Sequence, residues 1–213
     1  SNNGLPHPTL DVTYEQVVGQ KATIFLSFAY SSNFVELVEA IERFMADNPD
    51  RDPNSTYFWF DVFVNDQWHA LDKDFYWWAN TFREAVQEIG FTLAFFSSWD
   101  SPTYITRVWT LFELSCSKDF GIALSKKQME SFYDTLRNDR DKIIAAFCVI
   151  DLANATSYLP EDKERIFAVI QELGGIHQFN VQVVSLLRDW VGYAAKRLIS
   201  DVQTEQEDGT IDI

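Results

Sequence analysis

Apolar positions follow two alternating rhythms along the first 125 residues. Residues 22–28 (ATIFLSF) are a short run of strand formers. In residues 33–47, Phe34, Leu37, Val38, Ile41, Phe44 and Met45 recur at helical spacing, and Pro49 and Pro53 lie beyond to end the helix. Residues 56–63 (TYFWFDVF) predict a second strand that leads into a polar loop. Residues 77–89 predict a second helix, with Ala79, Phe82, Ala85, Val86 and Ile89 on one face and Gly90 as its stop. A third strand over residues 91–97 (FTLAFFS), a loop over 98–104 and a third helix over about 106–119 follow, and 120–124 is a candidate fourth strand. Strand alternating with helix implies a parallel sheet covered on both faces, because parallel neighbours need a crossover connection.

The second half carries helical periodicity with weaker punctuation. Residues 125–138 have helical character, 143–152 fit a strand or a buried helical turn, and 161–173 and 181–199 read as helices separated by Gly174 and Gly175. There are no internal repeats and no Pro- or Ser-rich linker. The expected organisation is an N-terminal extension over residues 1–20, one domain over 21–200 with its core in 21–125 and a helical extension in 126–200, and an acidic, disordered tail over 201–213.

Composition narrows the function. Hydrophobic residues make up 46% and charged ones 23% of 213 residues, which is ordinary for a folded domain and excludes wholesale disorder. The formal net charge of −15 repels a phosphate backbone, so nucleic acid is not an expected partner, although a few local donors suffice to bind a small nucleotide. The longest apolar run, 143–150, is far short of the roughly 20 residues that cross a bilayer, so no membrane partner is expected. The polar residues 1–8 do not read as a signal peptide. Two cysteines, Cys116 and Cys148, sit among apolar neighbours and suit a reducing, cytoplasmic setting.

Several chemistries drop out. His7, His69 and His177 are far apart and no paired Cys/His spacing predicts a zinc site. Neither GxxxxGK[ST] nor GxGxxG occurs, nor does a GxSxG elbow. The end of the first strand reads Ser27-Phe28-Ala29-Tyr30, which lacks the acidic pair of a metal-dependent phosphoacceptor. What remains is Trp109 and Glu113 on the third helix. Four residues apart places indole and carboxylate about 40° apart around the axis, on one face, where they can flank one pocket. The same pair also fits a plain amphipathic helix with a core Trp and a surface Glu.

Ten of the twenty-two residues from Tyr57 to Trp78 are aromatic, and the strand portion reads as sheet core. Trp68, in the loop over 64–74, is placed to stack on a base or nicotinamide ring, or to make an assembly contact. Asp61 caps that loop or contacts ribose. Trp99 and Asp100 follow the third strand, at the edge where open α/β sheets put their ligand crevice. Cys116 reads as core.

The run ATIFLSFAYSS, then TYFWFDVF, then FREAVQEIGFTLAFFSSWDSP leading into RVWTLFELSCS, resembles the Toll/interleukin-1 receptor (TIR) domain in the order and spacing of its parts. In that family a first strand ending in Ser-Phe or Ser-Tyr, a strand ending in Ser after a helix, and a Trp-Cys-x-x-Glu-Leu-like helix recur. Here the last reads Trp109-Thr110-Leu111-Phe112-Glu113-Leu114, with Thr110 in place of the frequent Cys. The resemblance covers residues 21–124. It implies a flavodoxin-like α/β fold, and either a signalling adaptor or an enzyme that cleaves NAD+ at the nicotinamide–ribose bond to linear or cyclic ADP-ribose, with no cofactor beyond that substrate. It further implies Glu113 as the catalytic carboxylate, Trp109 as part of the pocket, the first loop (Phe28, Ala29, Tyr30, Ser31) as a pocket wall, and activation by homo-oligomerisation. The Arg common in that loop is replaced by Ala29-Tyr30, and Arg107 is the candidate substitute.

A single carboxylate suits this chemistry. Nicotinamide in NAD+ is cationic and departs neutral, so the leaving group needs no acid, unlike that of an ordinary glycoside. The expected role of Glu113 is to hydrogen-bond the ribose and stabilise the oxocarbenium-like carbon. Two other readings stay open: a non-catalytic TIR interaction module, and a nucleoside or nucleotide N-glycosidase. The latter needs a second acid near Glu113, with Asp61 and Asp100 as the first candidates.

Overall fold

A computed structural model describes residues 20–64, 74–148 and 150–207. Residues 1–19, which include most of the expected N-terminal extension, lie outside that description. The strands are β1 (Ile24–Ser27), β2 (Phe58–Trp59), β3 (Phe91–Phe95) and β4 (Asp119–Ala123). They form one all-parallel sheet in the order β2-β1-β3-β4, and with helices on both faces the fold is flavodoxin-like α/β. The register is set by Phe25 opposite Thr92 and Leu93 opposite Gly121.

The helices on the first half begin and end where local chemistry dictates. Helix α1 (Phe34–Asp47) starts at Asn33, whose side-chain oxygen accepts from the N–H groups of Val35 and Glu36. It buries Leu37 and Ala40 against Ile24, Leu26, Leu93, Phe95 and Ala123, one face of the sheet. The short helix α2 (Asp61–Val64) follows β2, and α3 (Phe75–Ile89) begins at Asp74, which accepts from the N–H of Trp77. Gly90 closes α3 in the left-handed region at φ 81°, where a side chain would be strained, and hands the chain directly to β3.

The second strand departs from expectation. Only Phe58 and Trp59 pair with β1, instead of residues 56–63. Asp61 turns the chain into α2 by accepting from the N–H of Val62. Phe60 and Phe63 satisfy their rings by packing edge to face at 4.8 Å, with Phe28 against Phe60 at 5.0 Å, so the aromatic run clusters and does not ladder.

The opposite face of the sheet is covered by α4 (Val108–Cys116) and by the C-terminal half: α5 (Lys126–Asn138), α6 (Arg140–Cys148), α7 (Pro160–Glu172) and α8 (Gly175–Glu207). Trp190 of α8 packs on Phe132 at 5.2 Å and on Phe147 at 6.0 Å. Each such buried ring contributes ~1.5–3 kcal/mol. One contiguous core thus runs from Phe75 to Ala194, and the residues expected as a helical extension supply about half of that cluster. Residues 143–148 are helical, in α6. Gly174 and Gly175, at φ 125° and 88°, break α7 from α8. Helix α8 is 33 residues, about 50 Å long. It continues to Glu207, through the start of the stretch expected to be a disordered tail. No helix among the described residues is long and apolar enough to cross a membrane.

Candidate active site

The carboxyl ends of β1, β2 and β3 lie on one edge, and the chain passes from β2 across β1 to reach β3. The end of β1 is therefore the topological switch point, where open α/β sheets hold their ligands. Its last residue, Ser27, is buried. The Ser27 hydroxyl donates to Glu113 Oε2 and bonds the Tyr104 hydroxyl at 2.8 Å. A serine has one proton to give, and with that proton directed at Glu113 Oε2 the Ser27 oxygen is left to accept from the Tyr104 hydroxyl, a short relay.

Glu113 reaches this point because α4 is fixed at both ends. At its start, the Val108 N–H donates to the Thr156 carbonyl at 2.9 Å, and the Thr156 N–H donates to the Thr106 carbonyl at 2.7 Å. Thr110 donates to the carbonyls of Tyr104 and Arg107. At its end, Ser117 bonds Thr92 of β3 at 2.7 Å, and Gln182 of α8 donates to the Ser115 carbonyl at 2.8 Å. The C-terminal half thus aims the glutamate at β1.

A second carboxyl stands nearby. Asp61, 6% exposed, accepts from the Tyr30 hydroxyl and from the Val62 N–H. Tyr30 exposes 71% of its surface but turns its hydroxyl inward. Burial pushes the Glu113 carboxyl up from its ordinary 4.5 to about 8; the Ser27 bond opposes that rise and the Asp61 charge adds to it. Glu113 keeps some surface as a residue, but its carboxyl group is desolvated. Burial also raises Asp61, against the bonds from Tyr30 and Val62. The Tyr30 hydroxyl is raised by burial, by its bond to Asp61 and by the charges of Asp61 and Glu113. Burial thus raises both carboxyls, and the Asp61 charge further disfavours ionisation of Glu113.

Of the residues singled out in the sequence, the fold brings together Glu113, Asp61 and Tyr30, with Phe28 beneath, 5.5 Å from the Tyr30 ring. Ser31 is exposed in the turn, and Ala29 is buried as part of the core, its carbonyl accepting from the Ser32 N–H. Trp109 diverges from Glu113. Its indole N–H donates to Asp162 of α7 at 3.1 Å and its ring lies on Phe75 and Phe82. Trp99 is corrected outright: it is 1% exposed, packs on Phe132 and donates to Ser131, so it belongs to the core and not to a ligand crevice. Asp100 pairs with Ser98 and, at 3.6 Å, with Lys142, and so does not serve Glu113. Trp68 lies outside the described residues.

Arg107 precedes α4, and its side chain makes no hydrogen bond or ion pair among the described residues. Burial pushes the Cys116 thiol up to about 11, which leaves it protonated and unreactive. Two cavities, of about 520 and 530 Å³, lie along β4 and beside Cys116, and neither is lined by Glu113, Ser27 or Asp61. No group of three or more His, Cys, Asp or Glu side chains fit to hold a metal occurs among the described residues.

Sequence reasoning missed Tyr104 and Thr156 as supports of the site. Tyr104 carries no signal beyond one aromatic in a polar loop, and Thr156 acts through its backbone. Ser27 was visible only as the end of a motif. No family model matches this chain, and neither a curated protein nor a solved structure is found to be similar to it.

Proposed function

We propose that this protein is an NAD+ glycohydrolase of the TIR type. The observation that carries the reading is the desolvated Glu113 carboxyl, held by Ser27 at the end of β1, where the sheet's connections diverge. The TIR-like motifs of residues 21–124 support the same reading.

In this account the nicotinamide–ribose C–N bond breaks heterolytically. The electron pair leaves with the nicotinamide nitrogen, which becomes neutral, and positive charge develops on the anomeric carbon. Glu113 is protonated in the empty site near neutral pH, since its carboxyl sits at about 8. The cationic pyridinium lowers that value on binding, so the carboxyl ionises where the oxocarbenium-like charge then forms. The Tyr104–Ser27 relay orients the carboxylate. Water then adds to the anomeric carbon and gives its proton to a carboxylate, yielding ADP-ribose; attack by the adenine ring instead yields the cyclic product. Self-association in the cytoplasm completes and activates the site. Nicotinamide release by the wild-type protein, absent in Glu113→Gln, tests the reading; equal release by the variant would overturn it.

A second reading is favoured by Asp61, a buried acid beside Glu113 that a nucleoside or nucleotide N-glycosidase needs to protonate a neutral leaving base. Asp61→Asn separates the two. It spares NAD+ cleavage, whose leaving group needs no proton, and removes hydrolysis of a purine nucleoside. A chain that cleaves neither substrate, with or without clustering, is an interaction module.

A further inference from the structure

Strand β4 is the edge of the sheet, bonded to β3 alone. The Asp119 N–H donates to the Gly90 carbonyl at 3.2 Å, and the Ala123 carbonyl accepts from the Phe96 N–H at 3.0 Å. Residues that face a neighbour alternate in a parallel ladder, so Asp119, Gly121 and Ala123 face β3 while Phe120 and Ile122 turn their backbone groups away from it. The Phe120 N–H is taken by the Asp119 carboxylate at 2.8 Å. The Phe120 carbonyl, and both the N–H and carbonyl of Ile122, make no hydrogen bond among the described residues. Ile122 is 3% exposed, so its donor and acceptor lie side by side at the floor of the cavity of about 520 Å³ between α1 and α8. Buried backbone groups are almost always paired, so this pair calls for a ligand edge that offers an acceptor and a donor together.

Size, charge and wall chemistry decide what enters. Arg197 of α8 meets Asp47 of α1 at 3.8 Å, a tie across the edge that bars a further strand. The space it leaves falls within the range of small-molecule sites, about 300–1,000 Å³. The lining carries four cationic and three carboxylate side chains. Arg43, at 3.2 Å, and Arg197 share Asp47, while Asp119 and Asp189 offset Arg51 and Lys118. So balanced a lining favours an uncharged ligand, because an ion of either sign loses its hydration and meets no net field of opposite sign. The walls are aromatic, with Phe44 on the α1 side and Trp190 and Tyr193 on the α8 side. A Cβ at Gly121 would lie 3.2 Å from Phe91 Cζ and 3.4 Å from the Phe44 ring, so the glycine lets both rings lie close to the strand. Ring faces of this kind hold a flat aromatic ligand.

We infer that the cavity beside β4 binds a flat, uncharged heteroaromatic molecule whose edge carries a carbonyl and an N–H side by side, an aromatic carboxamide or a lactam. The Ile122 N–H donates to the ligand carbonyl and the ligand N–H donates to the Ile122 carbonyl, the exchange of two bonds that facing residues make in an antiparallel pair. The ring then lies among Phe44, Trp190 and Tyr193. The site is separate from the Glu113 cluster and does not rest on its activity.

Nicotinamide, as the carboxamide, and hypoxanthine, as the lactam, titrated separately into the 15N-labelled full chain and followed by NMR, test this. The expected result is saturable binding with a Kd on the order of 0.1–1 mM, as suits so small a ligand. The Ile122 amide resonance shifts with binding, and added salt leaves the Kd unchanged. Saturation by one probe alone supports the site and assigns its ligand to that class. N,N-dimethylnicotinamide and 1-methylhypoxanthine, which lack the donor, bind about tenfold more weakly, as loss of one hydrogen bond in a desolvated place predicts. Nicotinate, which carries a charge, is weakened as much. Tyr193→Ala, at a position 52% exposed where the fold tolerates the change, removes one wall and weakens binding about fivefold. Glu113→Gln leaves the Kd as it is, so this test and that of the activity succeed or fail separately. No saturable binding of either probe, or equal binding of the methylated analogues or of nicotinate, would overturn the proposal. So would binding that leaves the Ile122 amide unmoved and survives Tyr193→Ala.

Discussion

Helix α4 carries Trp109 and Glu113 one turn apart on one face, yet the two regions they enter treat polar groups in opposite ways. Towards α7, Trp109 joins a packed layer of rings, and its indole N–H is satisfied by Asp162 at the domain surface. Towards β1, Glu113 is carried into a desolvated place beside another acid, with one serine as its donor. The first region stabilises the fold; the second costs stability. Natural proteins accept such a cost where chemistry requires it, which is why the proposed function is placed on Glu113.

Substitutions in the two regions should therefore separate activity from stability. The largest expected effect is at Glu113. Glu113→Gln lowers nicotinamide release by about 10²–10³-fold, the loss expected for removing the main electrostatic stabiliser of a developing charge. The same variant melts higher than wild type at pH 8. Glu113 holds its proton to about 8 in the folded chain and to about 4.5 when unfolded, so its contribution to stability is present below pH 4.5 and is lost as pH rises towards 8. The gain from removing it at pH 8 is on the order of a few kcal/mol, and calorimetry of both proteins at pH 5 and pH 8 checks it.

The mirror case is Phe132, fully buried against Trp99, Phe147 and Trp190. Phe132→Ala costs about 3–5 kcal/mol in denaturant unfolding and leaves kcat per folded molecule near wild type. Smaller again is Ser27→Ala. Without its donor the Glu113 carboxyl rises further, so the rising limb of kcat/KM against pH moves above 8 and activity at pH 7 falls about tenfold. Smallest is Trp109→Phe, which loses the bond to Asp162 and costs about 1 kcal/mol of stability with little change in kcat.

These contrasts also mark how far the sequence alone reaches. β1, α1, α3 and β3 were legible because their signals are local: a strand-forming run, Asn33 and Asp74 as caps, and Gly90 at a positive φ. Strand β2 was overestimated because an aromatic run supports ring clusters as well as ladders, and only neighbours in space decide between them. The Trp109–Glu113 spacing gave a shared face, but α7 supplies a partner to one residue and β1 to the other. No periodicity encodes which of two inward-facing side chains meets a serine and which an aspartate. Asp61 was visible as the one charge in an apolar run, while Tyr104 and Thr156 act through contacts set by the whole fold.

The central claim is that Glu113 waits protonated for a cation. Glutamate carboxyl carbons labelled with 13C and followed by NMR against pH, with Glu113→Gln to assign the signal, measure this directly. The account predicts a midpoint near 8 in the free protein and one at least a unit lower with bound NAD+. A midpoint near 4.5 in both states would contradict it.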